Sequence, residues 1–197
     1  MIPDAPQACD ALLARRGTGL WHWTGELHRV MSIWIRTFSP RPLGPLNAEA
    51  LQSGIRKRLL AAPFNPDEEE DPEVVLSRLR ISPRSADLLE LYYRADAKRF
   101  IPVERWVGDA AAEEVEEALE DLEDALDPGA AKVRAILNRT VETVAFELKL
   151  SDAQGMGWPL AIAAAATFAE QCSGVIYAED SGWMVPSGNE VEFLVQE

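Results

Sequence analysis

Hydrophobic positions along the chain repeat in two spacings, one typical of strands and one typical of helices. Residues 30–38 form a short run rich in β-branched and aromatic side chains that stops before a proline, which predicts a buried strand. Leu51, Ile55 and Leu59 then recur every four residues behind a capping asparagine, which predicts a helix over residues 47–62. This part of the chain therefore contains both kinds of element.

The middle of the chain is predicted to hold a loop, a short helix and a hairpin. Residues 63–72 carry an acidic block between prolines, typical of a solvated loop, and residues 72–79 follow as a short helix. Apolar and polar residues alternate over 89–94 and 100–107, which predicts the two arms of a hairpin. Pro102 lacks an amide hydrogen, so we expect the second arm at a sheet edge.

Residues 109–127 give the clearest helix in the sequence, with Asp109 as its expected cap. A narrow apolar stripe crosses an otherwise carboxylate-covered surface; its members are Val115, Leu119, Leu122 and Leu126. An Asp-Pro-Gly sequence ends the helix. We expect this acidic helix on the surface, with the stripe facing inward.

The last part of the chain has the most definite pattern. A basic helix at 132–139 and a strand at 143–150 precede a helix of small apolar residues that Pro159 can begin and Gly174 can end. This alanine-rich helix has no polar face, so it must be covered. Two short strands joined by a turn follow, and alternation over 191–195 predicts a terminal strand.

These elements together predict an α+β fold. We expect a mixed, mainly antiparallel sheet with helices packed on it, including a C-terminal strand-helix-strand-hairpin unit. Residues 1–197 are expected to form a single domain, with residues 1–25 peripheral to it.

Composition limits the class of protein further. The chain is 47% hydrophobic, but no apolar run reaches the roughly 18 residues that a membrane span needs. The N-terminus lacks a basic stretch followed by an apolar run, so we expect no secretory signal and a cytoplasmic location. Cys9 and Cys172 lack the spacing of a zinc or redox motif, and we expect two free thiols, with Cys172 buried.

The net charge of -14 is concentrated in two blocks, residues 67–71 and 109–127, neither of which contains Lys or Arg. Such a concentrated negative field repels nucleic acid and anionic membrane surfaces, and it attracts cationic proteins. We therefore expect a basic protein partner, and neither direct nucleic-acid binding nor membrane binding.

The search for catalytic chemistry returns few candidates. The glycines at 155 and 157 do not complete a phosphate loop and are typical of a turn between a strand and a helix. His22 and His28 lie six residues apart, a spacing that does not fit a helical zinc pair, and their role stays open. We expect no metal, no cofactor and no catalytic residue, and the acidic blocks lack the pattern of a calcium loop.

The acidic helix supplies the candidate partner-binding residues. Like charges four residues apart repel each other, and a basic partner would remove that repulsion. Tryptophans near turns are candidate interface anchors, although most of the six are expected in the core. The candidates are Glu113, Glu116, Glu117, Glu120, Asp121, Glu123 and Asp124, together with Trp106 and Trp183.

The stretch from Gly157-Trp158-Pro159 through Gly174-Val175-Ile176-Tyr177 to Gly182-Trp183 resembles a helix-strand-turn module at the C-terminus of bacterial proteins that include immunity proteins encoded beside polymorphic toxins. The resemblance covers about fifty of the 197 residues. It implies a cytoplasmic α+β protein that binds one cognate secreted toxin and blocks its active site or substrate surface. It supplies no binding residues of its own.

Three hypotheses follow. The first is an immunity-type inhibitor that binds a basic toxin through the acidic helix. The second is an enzyme or small-ligand-binding protein with a pocket near the strand-helix unit at 155–177, close to Gly155, Trp158 and Tyr177. The third is a self-associating module with a homodimer face.

Overall fold

A computed structural model describes residues 32–62, 70–96, 98–123, 125–153, 155–179 and 181–196. Among these residues, a single sheet has eight strands in the order β2-β3-β4-β5-β1-β6-β7-β8, and every neighbouring pair is antiparallel. The predicted α+β class is confirmed. The strands are β1 (Ser32–Ser39), β2 (Arg80–Pro83), β3 (Leu88–Tyr92), β4 (Ile101–Val107), β5 (Glu142–Lys149), β6 (Val175–Ala178), β7 (Gly182–Ser187) and β8 (Glu190–Val195).

Three of the helices begin behind a side-chain cap. Asn47 accepts a hydrogen bond from the amide of Ala50 at 3.0 Å, as predicted, and Asp71 and Asp127 cap the second and fourth helices in the same way. The helices are α1 (Ala48–Ala61), α2 (Pro72–Arg78), α3 (Asp109–Asp121), α4 (Pro128–Leu137), α5 (Leu150–Ala153) and α6 (Gly157–Cys172).

One face of the sheet packs against α1, α2 and α6, and we call the apolar interior on this side the first core. Successive residues of a strand point to opposite faces, so Ile35 of β1 and Phe146 of β5 lie in it while their neighbours do not. The alanine-rich α6 is buried between the sheet and α1, as its composition predicts. Thr37 of β1 donates a hydrogen bond to the Ala165 carbonyl at 3.2 Å and ties the helix to the sheet.

The opposite face packs against α3 and α4 around a smaller second core. This core contains Phe38 of β1 and Trp183 of β7, whose ring centroids lie 5.4 Å apart. Gly129 of α4 approaches the edge strand so closely that an added Cβ would lie 1.9 Å from the Leu194 carbonyl oxygen. Glycine at this position therefore lets α4 sit directly on the backbone of β8.

The predicted hairpin is confirmed, but its second arm is not an edge strand. β4 lies between β3 and β5 in the sheet. Its pairing with β5 begins only at Val103, so at Pro102 the strand is flanked by β3 alone. The proline thus occupies a local edge within an interior strand, which explains how it is tolerated there.

Several element ends differ from their predicted positions. β5 stops at Lys149, and the short helix α5 occupies the residues that follow. α6 begins at Gly157, ahead of Pro159, and its left-handed cap is Ser173 with φ 57°. The adjacent Gly174 instead lies where an added Cβ would meet the Phe38 carbonyl oxygen at 2.3 Å.

Some predictions fall on residues that the structure does not describe. The peripheral segment 1–25 and most of the acidic loop 63–72 are among them, although Glu70 and Asp71 at the loop's end are described. All described elements belong to one compact unit, residues 31–197. A single domain over 1–197 stays a prediction.

Candidate functional site

The acidic helix α3 exists, but it starts and faces differently from the prediction. Its cap is Gly108, with φ 61° and no side-chain hydrogen bond, and Asp109 is the first helical residue. The buried residues of the helix are Ala111 and Ala118, and Leu122 directly after it is also buried. Leu126 lies beyond the helix and is 97% exposed, so the predicted stripe is wrong at that end. The helix ends at Asp121, five residues before Leu126, and residues four apart share a face only within a helix.

Most of the predicted acidic residues lie on the outside of α3. We call six exposed side chains the acidic face, of which five lie on α3 and the last lies just beyond its end: Glu113, Glu116, Glu117, Glu120, Asp121 and Glu123. Within the described ranges, none of the six forms an ion pair. Asp124, the seventh predicted residue, is outside the described residues.

A cleft of about 130 Å³ lies between α3 and the sheet. Its floor is aromatic and buried, since Phe38 is 1% and Trp183 2% exposed. Four carboxylates and one guanidinium surround this floor. The residues that line the cleft are Arg36, Phe38, Glu114, Glu117, Ala118, Asp121, Tyr177, Glu179 and Trp183.

An ion pair closes one side of the cleft. Arg36 Nε of β1 lies 2.6 Å from Glu114 Oε2 of α3, and both side chains are more than four-fifths buried. The contact is short, but its angle is not that of a hydrogen bond, so the buried Nε lacks a hydrogen-bond acceptor among the described residues. Burial raises the pKa of the Glu114 carboxyl, and the nearby Glu117 and Glu113 add to this effect while Arg36 opposes it.

Glu114 was not among the predicted site residues, and the sequence offers little to single it out. It sits in a run of identical carboxylates, and only its position one turn before Ala118 indicates that it lies beside the buried face of α3. Its partner Arg36 belongs to a strand that the pattern predicts as buried. The pairing becomes visible only when the sheet brings β1 under α3.

The other side of the cleft is formed by β6 and the turn after it. Glu179 Oε2 accepts a hydrogen bond from the Trp34 amide at 2.8 Å, which fixes the carboxylate against β1. Tyr177 stacks on Trp183 with ring centroids 4.8 Å apart. The half-buried Tyr177 ring and the Glu179 carboxylate therefore face the cleft from β6 and the turn after it.

The two predicted aromatic anchors have different environments. Trp183 was expected at a surface, but it is buried in the second core, because its side chain points to the sheet face that α3 and α4 cover. Trp106 is half-buried and contacts Trp34, with ring centroids 5.9 Å apart. Only Trp106 retains surface for a partner, whereas Trp183 contributes to the floor of the cleft.

The residues suggested for a small-ligand pocket do not come together. Trp158 packs against the first core and Tyr177 against the second, so the two rings lie on opposite faces of the sheet. Gly155 lies in the turn between α5 and α6, as its surroundings predict. Cys172 is a buried free thiol, as expected, and burial raises the pKa of its thiol. His22, His28 and Cys9 lie outside the described residues.

The region around α3 is a negatively charged surface. In the part of the chain that the structure describes, no three His, Cys, Asp or Glu side chains converge as metal ligands. No described helix is long and apolar enough to cross a membrane. No protein-family model matches the chain, and no curated protein or solved structure matches it.

Proposed function

We propose that the protein is a non-catalytic binding protein of the immunity type, which neutralises a cognate toxin by binding a basic surface of that toxin through α3. The observation that carries the proposal is the acidic face. It presents six exposed carboxylates, five on α3 and Glu123 just beyond its end, and within the described ranges no cation pairs with them. The only described ion pair of α3 uses Glu114, at the side of the helix that faces the sheet.

The acidic face costs the free protein some stability. Glu113 and Glu117, Glu116 and Glu120, and Glu117 and Asp121 are like charges four residues apart on α3. Each such pair destabilises an exposed helix by about 0.2–0.5 kcal/mol. Basic side chains of a partner would remove this repulsion on binding, so the same arrangement that weakens the isolated helix favours the complex.

The geometry also suits rapid association. The segment that follows α3 is held in place, because Arg134 of α4 donates hydrogen bonds to the Ala125 carbonyl at 2.9 Å and to the Glu123 carbonyl at 3.3 Å. A fixed field of one sign accelerates encounter with a basic protein, and salt screens the effect over about 8–10 Å. The complex is therefore expected to form quickly at low salt and more slowly at high salt.

A toxin that acts on nucleic acid is the target that this surface fits best. Such an enzyme carries a basic substrate surface, and a helix covered with carboxylates can occupy it in place of phosphates. In this proposal the protein acts in the cytoplasm, where the toxin would otherwise reach its substrate. The free Cys172 thiol is in keeping with that reducing compartment.

The proposal is tested by charge reversal on the acidic face. Tagged wild-type protein is used to capture partners from its source cells, beside the variant Glu116→Lys, Glu120→Lys, Glu123→Lys. The matched control reverses three exposed carboxylates away from α3, Glu49, Glu190 and Glu192, and so changes the net charge equally. We expect one stoichiometric basic protein with wild type and control, and its loss with the α3 variant.

Association rates of the purified complex complete the test. The rate constant should fall with rising salt for wild type and control, and circular dichroism should show all three proteins folded. If the α3 variant binds the captured protein as fast as wild type at low salt, α3 is not the interface and the proposal is wrong.

A further inference from the structure

A second group of polar side chains lies where the turn between β3 and β4 meets α5, at the other end of β4 from α3. Asp152 of α5 is 3% exposed and accepts a hydrogen bond from the Tyr93 hydroxyl at 2.7 Å. Burial and this contact raise the pKa of Tyr93 to about 12, so its hydroxyl stays protonated and donates. The same carboxylate oxygen accepts from Arg94 Nε at 2.9 Å. Two buried side chains therefore hold one guanidinium in place.

The guanidinium of Arg94 reaches the surface beside Ser151. About one third of the Arg94 side chain is exposed, and its Nη2 donates a hydrogen bond to the Ser151 carbonyl at 2.7 Å. Arg99, an exposed residue of the same turn, donates from Nη1 to the Ser151 hydroxyl oxygen at 3.4 Å. Ser151 is itself exposed. Two guanidiniums and a hydroxyl group thus come together at one accessible point.

This arrangement is more costly than the attachment of α5 requires. Burial of a carboxylate costs free energy, and a paired guanidinium recovers that cost incompletely. Apolar residues would pack a helix of only four residues against β5 without the cost. A buried acid that orients an arginine at the surface is instead typical of the support behind a binding group. We therefore interpret Asp152 and Tyr93 as the support and Arg94 as the group that they present.

The local charge is positive, although the chain as a whole is acidic. The described part of the turn and α5 contain three cations and two carboxylates, namely Arg94, Lys98 and Arg99 against Asp96 and Asp152. Asp152 pairs with Arg94, whereas Lys98 and Arg99 form no ion pair within the described ranges.

The acidic face lies too far away to cancel this positive charge. The seven residues of β4 separate the turn from α3, and a strand rises about 3.3 Å per residue, which gives roughly 20 Å. Salt screens exposed charges over about 8–10 Å. An anion that approaches Ser151 is therefore affected mainly by the nearby arginines.

We propose that Arg94, Arg99 and Ser151 form a binding site for a small oxyanion of the phosphate class. A guanidinium donates paired hydrogen bonds to phosphate oxygens, and the serine hydroxyl adds a further donor. A tetrahedral dianion can accept from both guanidiniums at once, whereas the two oxygens of a carboxylate are satisfied by one guanidinium. This inference goes beyond the proposed function and does not depend on α3.

The test titrates the full chain with inorganic phosphate and, separately, with acetate at equal ionic strength, measured by calorimetry. At about pH 7.5 phosphate is mostly a dianion. We expect phosphate to bind at least about tenfold more tightly than acetate, since one added hydrogen bond to a charged group corresponds to about tenfold or more. Arg99→Gln should weaken phosphate binding about tenfold for the same reason. Ser151→Ala removes a neutral donor and should weaken it less.

The matched control is Arg56→Gln on the exposed side of α1, which changes the net charge as Arg99→Gln does. It should bind phosphate as wild type does. Arg99→Lys keeps the charge but lacks the planar fork of donors, so it should recover only part of the affinity. All substituted side chains are exposed, and circular dichroism should show every variant folded.

The outcomes decide the proposal independently of the partner-binding experiments. If wild type binds no phosphate, or binds it no more tightly than acetate, the oxyanion site is wrong. It is also wrong if Arg56→Gln weakens phosphate binding as much as Arg99→Gln, because general charge attraction would then explain the binding. Weaker phosphate binding that is confined to the Arg99 and Ser151 variants would establish the site.

Discussion

The face of the sheet beneath α6 and the face beneath α3 are built from the same strands but differ in packing and in charge. Under α6, side chains from six of the described strands and three helices close into the first core, and α6 itself is almost entirely apolar. Under α3, the second core is smaller and rich in aromatic residues, and it opens into a cleft lined with carboxylates.

The difference shows how one sheet can bury most of its apolar area on one face and carry concentrated charge on the other. The first face buries residues such as Phe146 and Leu160 completely, so most of the apolar area removed from water lies there. The second face accepts like-charge repulsion on α3 and a buried carboxyl in Glu114. A protein whose stability is supplied by one face can carry unfavourable charges on the other.

Among the substitutions that test this comparison, Phe146→Ala is expected to have the largest effect on the free energy of unfolding. Phe146 is fully buried in the first core and contacts Phe168 of α6, with ring centroids 6.3 Å apart. Its truncation leaves a cavity and should lower the free energy of unfolding by about 3–5 kcal/mol, measured by urea denaturation. Leu119→Ala, at a half-buried position of α3, serves as the control and should lower the free energy of unfolding by a smaller amount. If Phe146→Ala lowered the free energy of unfolding by less than about 1 kcal/mol, the first core would not be the main source of stability.

A smaller effect is expected where α4 sits on the edge strand. In Gly129→Ala the new Cβ would lie 1.9 Å from the Leu194 carbonyl oxygen, and backbone atoms would have to move. We expect a loss of about 1–3 kcal/mol in the free energy of unfolding, since overpacking outweighs the gain in helix propensity.

The control for this substitution is Gly155→Ala. An added Cβ at Gly155 meets no atom within 4 Å, and φ there is not positive, so denaturation should show unchanged or slightly raised stability. If the two substitutions changed the free energy of unfolding equally, α4 would not pack on β8 as closely as the structure indicates.

The spacing of apolar and polar residues predicted much of the fold, because the interactions that form a single helix or strand act over a few residues. Asn47 and the leucines that follow it define α1 through interactions a few residues apart, and the alternation in the hairpin defines β3 and β4 in the same way. Arg58 shows the limit of this approach. It lies on the polar side of the pattern, yet it is 4% exposed and pairs with Glu170 of α6, because α6 covers that side of α1.

The candidate site could be predicted only in part. The carboxylates of α3 are visible in the sequence, but the cleft requires β1 to lie between β5 and β6, a strand order that depends on contacts more than a hundred residues apart. The same long-range pairing decides that Trp183 is buried and that Arg36 meets Glu114. No spacing within a single element encodes these contacts.

The smallest of the three effects is expected for Glu114→Gln, and it should depend on pH. The pKa of Glu114 is raised in the folded protein, so the folded state holds this proton at pH values where the unfolded chain has released it. The protonated carboxyl therefore stabilises the folded protein below its ordinary pKa of 4.5, and this stabilisation is lost as the pH rises through the raised pKa.

Because Gln cannot ionise, the free energy of unfolding of the Glu114→Gln variant should be close to that of wild type in acid. It should exceed the wild-type value increasingly as the pH rises. The net change stays small because Arg36 loses its counter-charge when the buried carboxylate is removed. Urea denaturation of both proteins from about pH 4 to 7 measures the difference, and a wild type that gains on the variant over this range would show that the ion pair, rather than burial, dominates at Glu114.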